Sequence, residues 1–227
     1  MADRKALIIG ASRGIGLGLT RELSGRGWHV IASQRSDGTE LDELAAESAA
    51  IDTIRVDVTE PESYEGLTGS MKPDSLDLLL VNAGITGAKH QSTEQATADE
   101  VAHVMMTNTV GPVRLAHQLL PLVKDGGTLA FMTSQMGSIA DSSGGYELYR
   151  MSKAAQNILA RGLFEQSARR RNIAVLSLHP GWVQTDMGGA GATLTVGESV
   201  QGLADVLETS RRPDHLFLSH DGSQLPW

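Results

Sequence analysis

Tyr149 and Lys153 stand four apart in a stretch with helical periodicity. That spacing puts both side chains on one face, one turn apart. A phenol ordinarily titrates near about 10. A fixed ammonium beside it favours the phenolate and brings that down by roughly 1–3 pH units, towards values useful for proton exchange. Ser134 ends a nearby apolar run and is the third member. Ser134 and Tyr149 together could hydrogen-bond a carbonyl oxygen while Tyr149 exchanges the proton. Ser138 competes with Ser134 for this role. Lone Tyr-x3-Lys pairs are mostly structural, so the weight falls on the elements that position this one.

The first of these is the apolar run Leu7-Ile8-Ile9, which suits a strand buried on both faces. Gly10, Gly14 and Gly16 follow, with Ala11, Ser12, Arg13 and Ile15 between them. Residues 17–23 then carry apolar side chains at helical spacing. Glycines in such a strand-to-helix turn build an anion site, where backbone N–H groups and the positive end of the helix face a phosphate. Gly10 allows the tight turn, and Gly14 and Gly16 allow close approach. The spacing Gly-x3-Gly-x-Gly differs from the usual dinucleotide fingerprint, but its place in the chain is that of a nucleotide-binding βαβ unit.

The second strand, Trp28–Ser33, ends at Gln34 and Arg35. A dinucleotide fold reads the adenosine ribose there: an acid binds a 2′-hydroxyl and a base accepts a 2′-phosphate. Arg35, with Arg13 as a second cation and no carboxylate until Asp37, predicts NADPH in preference to NADH, which stays possible. Further strands are expected at Ile51–Val56, Leu76–Val81, Thr128–Thr133 (after a Gly126-Gly127 turn), Ile173–Leu178 and Leu216–Leu218. Helices are expected at 41–50, from Pro61 to about Lys72, from about Thr97 to Leu120 with Asn108 inside and a kink at Pro112, from Tyr149 to about Arg170, and at 197–209. This alternation predicts an α/β fold, a doubly wound parallel sheet with helices on both faces, in one domain over residues 1–227. Ligands sit beyond the carboxyl ends of such strands, so Asp57, Asn82 and Gly84 should share an edge with the glycine loop.

The chain has 227 residues and 41% hydrophobic content, enough for one domain with a real core. Its net charge of −8 argues against a nucleic-acid surface. The run Arg169-Arg170-Arg171 reads as cations at a helix C-terminus. With no cysteine there is no disulfide, thiolate metal site or cysteine nucleophile. The histidines lack metal-ligand spacing, so no metal is expected; His90 is a candidate substrate contact. No signal peptide or membrane span is evident, and a soluble, cytoplasmic protein is expected.

The motifs together resemble the short-chain dehydrogenase/reductase family. The matching segments are Gly10-Ala11-Ser12-Arg13-Gly14-Ile15-Gly16, Asn82-Ala83-Gly84, Asn108, Ser134, Tyr149-x3-Lys153, and Pro180-Gly181 with Thr185. The run from His179 to Gly189 and the ending Asp221-Gly222 with Trp227 resemble its C-factor-like and sniffer-type carbonyl reductase group. The resemblance implies a tetrad. Tyr149 is the acid–base, Lys153 holds the nicotinamide ribose and tunes Tyr149, Ser134 orients the carbonyl, and Asn108 supports a water relay. It also implies Asp57 and Val58 beside the adenine, and Asn82, Ala83 and Gly84 near the adenosine and ribose. Thr185 and the backbone at Val183, after Pro180 and Gly181, would fix the carboxamide. Ile9 departs from the family's frequent threonine and leaves the glycine turn without that hydroxyl. The loop between Ser134 and Tyr149 is about two residues longer than the family's common length.

The expected activity is reduction of an aldehyde or ketone by hydride transfer from NADPH. The alternatives are alcohol oxidation and a dinucleotide-binding signalling or regulatory role. The partner is a small carbonyl or alcohol substrate, admitted near a short loop at about residues 186–196. The helices around Asn108 and after Tyr149 are candidates to pair in a homodimer or homotetramer.

Overall fold

Side chains alternate across a strand, so a strand apolar at every position must be covered on both faces. The computed structural model, which describes residues 4–37, 40–210 and 212–227, is built on that requirement. Strand β1 (Arg4–Ile9) sends Leu7 and Ile9 into one core, against α5 (Gly111–Leu119) and α6 (Glu147–Leu163). It sends Ala6 and Ile8 into the other, against α1 (Gly14–Gly25) and α7 (Val196–Thr209).

The remaining strands are β2 (Trp28–Gln34), β3 (Ile51–Arg55), β4 (Leu76–Val81), β5 (Val123–Met132), β6 (Ala174–His179) and β7 (His215–Ser219). All pairings are parallel, in the order β3-β2-β1-β4-β5-β6-β7. The doubly wound α/β fold expected from the alternation is therefore present. Its strand order reverses between β1 and β4, where such sheets open a crevice for ligand.

Several elements differ from their sequence signals. Helix α2 (Glu40–Ala46) is shorter than expected. The stretch after Pro61 is one 3-10 turn, Pro61–Ser63, and a four-residue helix α3 (Leu67–Ser70). Gly66 and Gly69 weaken a longer helix there. Gly126 and Gly127 lie inside β5: between its pairs Leu76↔Val123 and Leu78↔Thr128 the strand bulges, with Gly126 at φ +75°.

The expected long helix is α4 (Ala98–Met105), a π-turn over Met106–Val110, and then α5. Pro112 has no N–H to return to Asn108, and the chain answers with a wider turn in which the Gly111 N–H reaches Met106 O. Helix α6 likewise ends in a π-turn, Phe164–Ala168, and a 3-10 turn, Arg169–Arg171. The basic run does close this helical segment. Arg171 also ties it down, donating to the carbonyls of Leu120 and Val123. Among the described residues, no helix is long and apolar enough to cross a membrane, and no cluster of His, Asp or Glu could hold a metal ion.

Candidate functional site

Beyond the carboxyl ends of β1, β4 and β5 lies a cleft of about 490 Å³. One end of it is the glycine loop. Gly10 has φ +87°, and a Cβ there would come within 2.8 Å of the Ala83 backbone. At Gly16 a Cβ would meet Gly10 O at 2.1 Å, so this glycine serves the packing of the turn, behind the wall. The hydroxyl that Ile9 cannot provide comes from the next strand: Ser33 Oγ accepts the Gly10 N–H at 2.9 Å. Asn82 Nδ2 donates to Gly10 O at 2.6 Å and joins the loop to β4.

Helix α1 starts without a side-chain cap and without an acid in its first turn, whereas α4 and α7 both begin with complete Thr–Glu capping boxes. Its free N–H groups and dipole are available to an anion from outside. The buried hydroxyls of Thr107 and Thr133 also line the cleft and have no hydrogen-bond partner among the described residues. An uncapped helix end and two orphaned hydroxyls in one cleft fit a phosphate-bearing, hydroxyl-rich ligand such as a dinucleotide.

Ser12, Arg13, Gly14, Ile15, Arg35, Asp57, Val58, Asn82, Ala83, Gly84, Tyr149, Lys153, Pro180 and Thr185 all line this cleft. Gly181 and Val183 stand behind it. Gly181 has φ +84° at the turn after β6, and buried Val183 bridges to Leu194. Thr185 Oγ1 accepts the Gly188 N–H at 3.1 Å and shapes the following loop. Sequence reading missed Glu40 and Ile85 as lining residues, while Met187 belongs to the loop expected near the substrate. Glu40 and Asp57 line the same cleft as Arg35, so acidic residues do share it, although none stands between the end of β2 and Asp37. Arg35 approaches Asp57 at 3.9 Å, and Arg13 pairs with Asp186 at 2.8 Å across the mouth, both largely exposed. Asp37 itself is paired with Arg55. His90 pairs with Glu100 and does not line the cleft.

The other end of the cleft is set by α6. Tyr149 and Lys153 share its inner face, with Lys153 Nζ 5.8 Å from the Tyr149 ring centroid. Lys153 Nζ donates to Met132 O at 2.9 Å. Gly84 makes room for it, since a Cβ there would stand 3.3 Å from Nζ. Burial pulls the Lys153 ammonium down to about 8. Burial also pushes the Tyr149 phenol up to about 12, and a hydrogen bond with the Ser134 side chain offsets part of this. The direction is opposite to the downward shift expected from Lys153, and its cause is the enclosure of the phenol. Both hydroxyls accept a backbone N–H of their own turns, Ser134 Oγ from Met136 and Ser138 Oγ from Asp141; Ser134 is the one that also hydrogen-bonds Tyr149.

Asn108 is fully buried in the π-turn. Its Oδ1 accepts the Ile85 N–H at 2.8 Å, and its Nδ2 donates to Ile85 O at 2.7 Å and to Ser152 Oγ at 3.0 Å. Ser152 Oγ donates in turn to Tyr149 O. Asn108 thus clips the segment after β4 to the helix that carries Tyr149. Asn108→Ala leaves buried polar groups unpaired and is expected to lower stability by about 2–4 kcal/mol and to reduce turnover while cofactor still binds. Urea unfolding and a cofactor titration check this; unchanged stability would remove the clip from the account.

Comparison with known proteins agrees with this geometry. Residues 4–193 match the short chain dehydrogenase family. The chain is 38% identical over 157 residues to the C-signal protein of Myxococcus xanthus, covering 67% of this chain and 93% of that one. It superposes on a carbonyl reductase from Pseudomonas aeruginosa PAO1 in complex with NADP, with TM-score 0.90, 37% identity and full coverage of both chains. The carbonyl reductase Sniffer of D. melanogaster gives TM-score 0.90 at 31% identity, covering 99% of this chain and all of that one. Spanned by the family match through its glycine loop, its tyrosine–lysine helix and the cleft between them, the chain belongs to the short-chain dehydrogenase/reductase family of oxidoreductases.

Proposed function

We propose that this chain is an NADPH-dependent carbonyl reductase that uses Tyr149 as its acid–base. The observation that carries the reading is one continuous cleft: the uncapped N-terminus of α1 and Arg35 border one end, and Tyr149, Lys153 and Ser134 converge on the other. NADP bound to the carbonyl reductase from P. aeruginosa supports the same cofactor here. Gly10, Ser12, Gly14 and Ile15 would hold the pyrophosphate and Arg35 the 2′-phosphate, with Arg13 drawn from Asp186 to join it. Asp57 and Val58 would flank the adenine, and Lys153 the nicotinamide ribose. When bound, the dinucleotide supplies the hydride.

The chain's residues do the rest. Ser134 and Tyr149 hydrogen-bond the carbonyl oxygen, which polarises the carbon. Tyr149 then gives its proton to the alkoxide oxygen. A neutral phenol suits this role, and the raised affinity of Tyr149 for its proton keeps it neutral through the physiological range. Lys153 keeps a positive field beside the phenolate that remains. Asn108 holds the helix in place and supports the route by which the proton is restored. The loop at about residues 186–196, with Met187 at the cleft, admits the substrate.

The test is NADPH consumption against a panel of aldehydes and diketones, with NADH beside it. Arg35→Ala should weaken NADPH by about 10- to 150-fold, the worth of a charge-assisted hydrogen bond, and leave NADH nearly unchanged. Equal losses for both cofactors would refute the role of Arg35. No turnover with any carbonyl would refute the reductase reading.

A further inference from the structure

Helix α6 has no N-terminal cap of its own. The residue at its cap position, Tyr146, has φ +49° and makes no side-chain cap bond. A local cap would take the N–H groups of the second and third helical residues, here Leu148 and Tyr149. Both are taken by one residue far away in sequence. Gln91, in the loop after β4, accepts the Leu148 N–H on its backbone carbonyl at 3.1 Å. Its side-chain Oε1 accepts the Tyr149 N–H at 3.2 Å. The amide cannot turn away, because its Nε2 donates to Thr86 O at 2.9 Å and Ala88 O at 3.3 Å. One further bond closes the joint from the other side: the Glu147 carboxylate accepts the Thr93 N–H at 2.6 Å.

Every polar atom of the Gln91 amide is thus spent on relating two backbones. One follows Gly84, which lines the cleft beside Lys153, and the other carries Tyr149. We infer that Gln91 is a positioning residue for the proton-transfer step: it caps α6 from the loop after β4 and thereby sets where the Tyr149 hydroxyl stands relative to the cofactor. This rests on the proposed role of Tyr149. Gln91 touches no reacting atom. Misplacement of a reacting group by about 1 Å can cost up to a hundredfold in rate, so a cap of this kind is felt in turnover more than in cofactor binding.

Gln91→Met keeps the length of the side chain and removes its bonds. Gln91→Glu keeps an acceptor for the Tyr149 N–H, with a charge that suits a helix N-terminus, and loses the anchoring donors. In the intact protein Gln91→Met should lower kcat for carbonyl reduction by about ten- to a hundredfold with NADPH affinity unchanged, and Gln91→Glu should recover part of it. Amide hydrogen exchange should quicken at Tyr149 in Gln91→Met, while Leu148, still bonded to the Gln91 backbone, stays protected. Added to Tyr149→Phe, Gln91→Met should cost nothing more, because residues acting through one group are not additive.

An equal loss in the wild-type and Tyr149→Phe backgrounds would overturn the inference, as would unchanged exchange at Tyr149. If Gln91→Met proves too unstable to assay, Gln91→Asn, whose side chain is one methylene too short to reach the Tyr149 N–H, takes its place, and unchanged kcat and exchange there would overturn it equally. An undiminished kcat for Tyr149→Phe alone would instead bring down the proposed role of Tyr149, and this inference with it.

Discussion

Tyr149→Phe is expected to reduce carbonyl turnover by at least about a hundredfold, since a positioned general acid contributes about 10²–10⁴. The substitution removes one hydroxyl and keeps the ring in place on α6. The hydrogen bond with Ser134 is lost, but Lys153 retains its bond to Met132 O at 2.9 Å. Cofactor affinity should therefore change little. A reduction assay beside a cofactor titration separates the two quantities. Near-normal turnover would mean that the proton comes from another group, and the catalytic half of the proposal would fall while the fold stood.

Lys153→Met carries the second large effect. Turnover should drop on the same scale, and cofactor affinity should fall with it if Lys153 holds the ribose. A second signature needs no substrate. Lys153 is buried, and its ammonium is pulled down to about 8 from an ordinary 10.5. Between those values the unfolded chain binds more protons than the folded one, so this group makes stability rise with pH across that window. Below about 8 the full cost of burying the charge is present. Tyr149 acts the other way and later: its folded value of about 12 lies above the ordinary 10.0, so its contribution is intact below 10.0 and lost above it. Lys153→Met should flatten the rise between pH 8 and 10, read as the difference in urea unfolding against wild type. An identical slope in the two proteins would show that the ammonium is not held in a dry site.

Much of this was legible in the sequence, for a physical reason. The glycine loop and the Tyr149–Lys153 pair are local patterns, in which a turn or a helical period alone sets the relation between residues. The sheet was legible because strands such as Leu7-Ile8-Ile9 must be covered twice. Contacts made across the fold were not. Nothing in the spacing says that Ser33 supplies a hydroxyl to Gly10, or that Glu40 enters the cleft beside Arg35. Gln91 sits among polar loop residues and gives no sign that it faces the start of α6. Gly126-Gly127 reads as a turn because glycines at φ > 0 usually make one; the pairing of β5 with β4 on both sides of it decides for a bulge. The phenol of Tyr149 stands above its ordinary value where the Lys153 spacing led one to expect it below, because a sequence gives spacing but not enclosure.

The contacts that shape the cleft join residues distant in the chain: Asn82 to Gly10 and Asn108 to Ile85 within it, and Arg13 to Asp186 across its exposed mouth. The first two close within residues 10–108, the third spans residues 13–186, and each must wait for the sheet to bring its ends together. The site is therefore complete only when the sheet is. A dinucleotide that recognises only this finished cleft draws on the folding equilibrium of the whole molecule, adding about 2.7 kcal/mol at a hundredfold excess over its Kd. The lifetime of the protein is thereby coupled to the supply of its own coenzyme: when that pool is depleted, every molecule, and not the cleft alone, stands closer to unfolding.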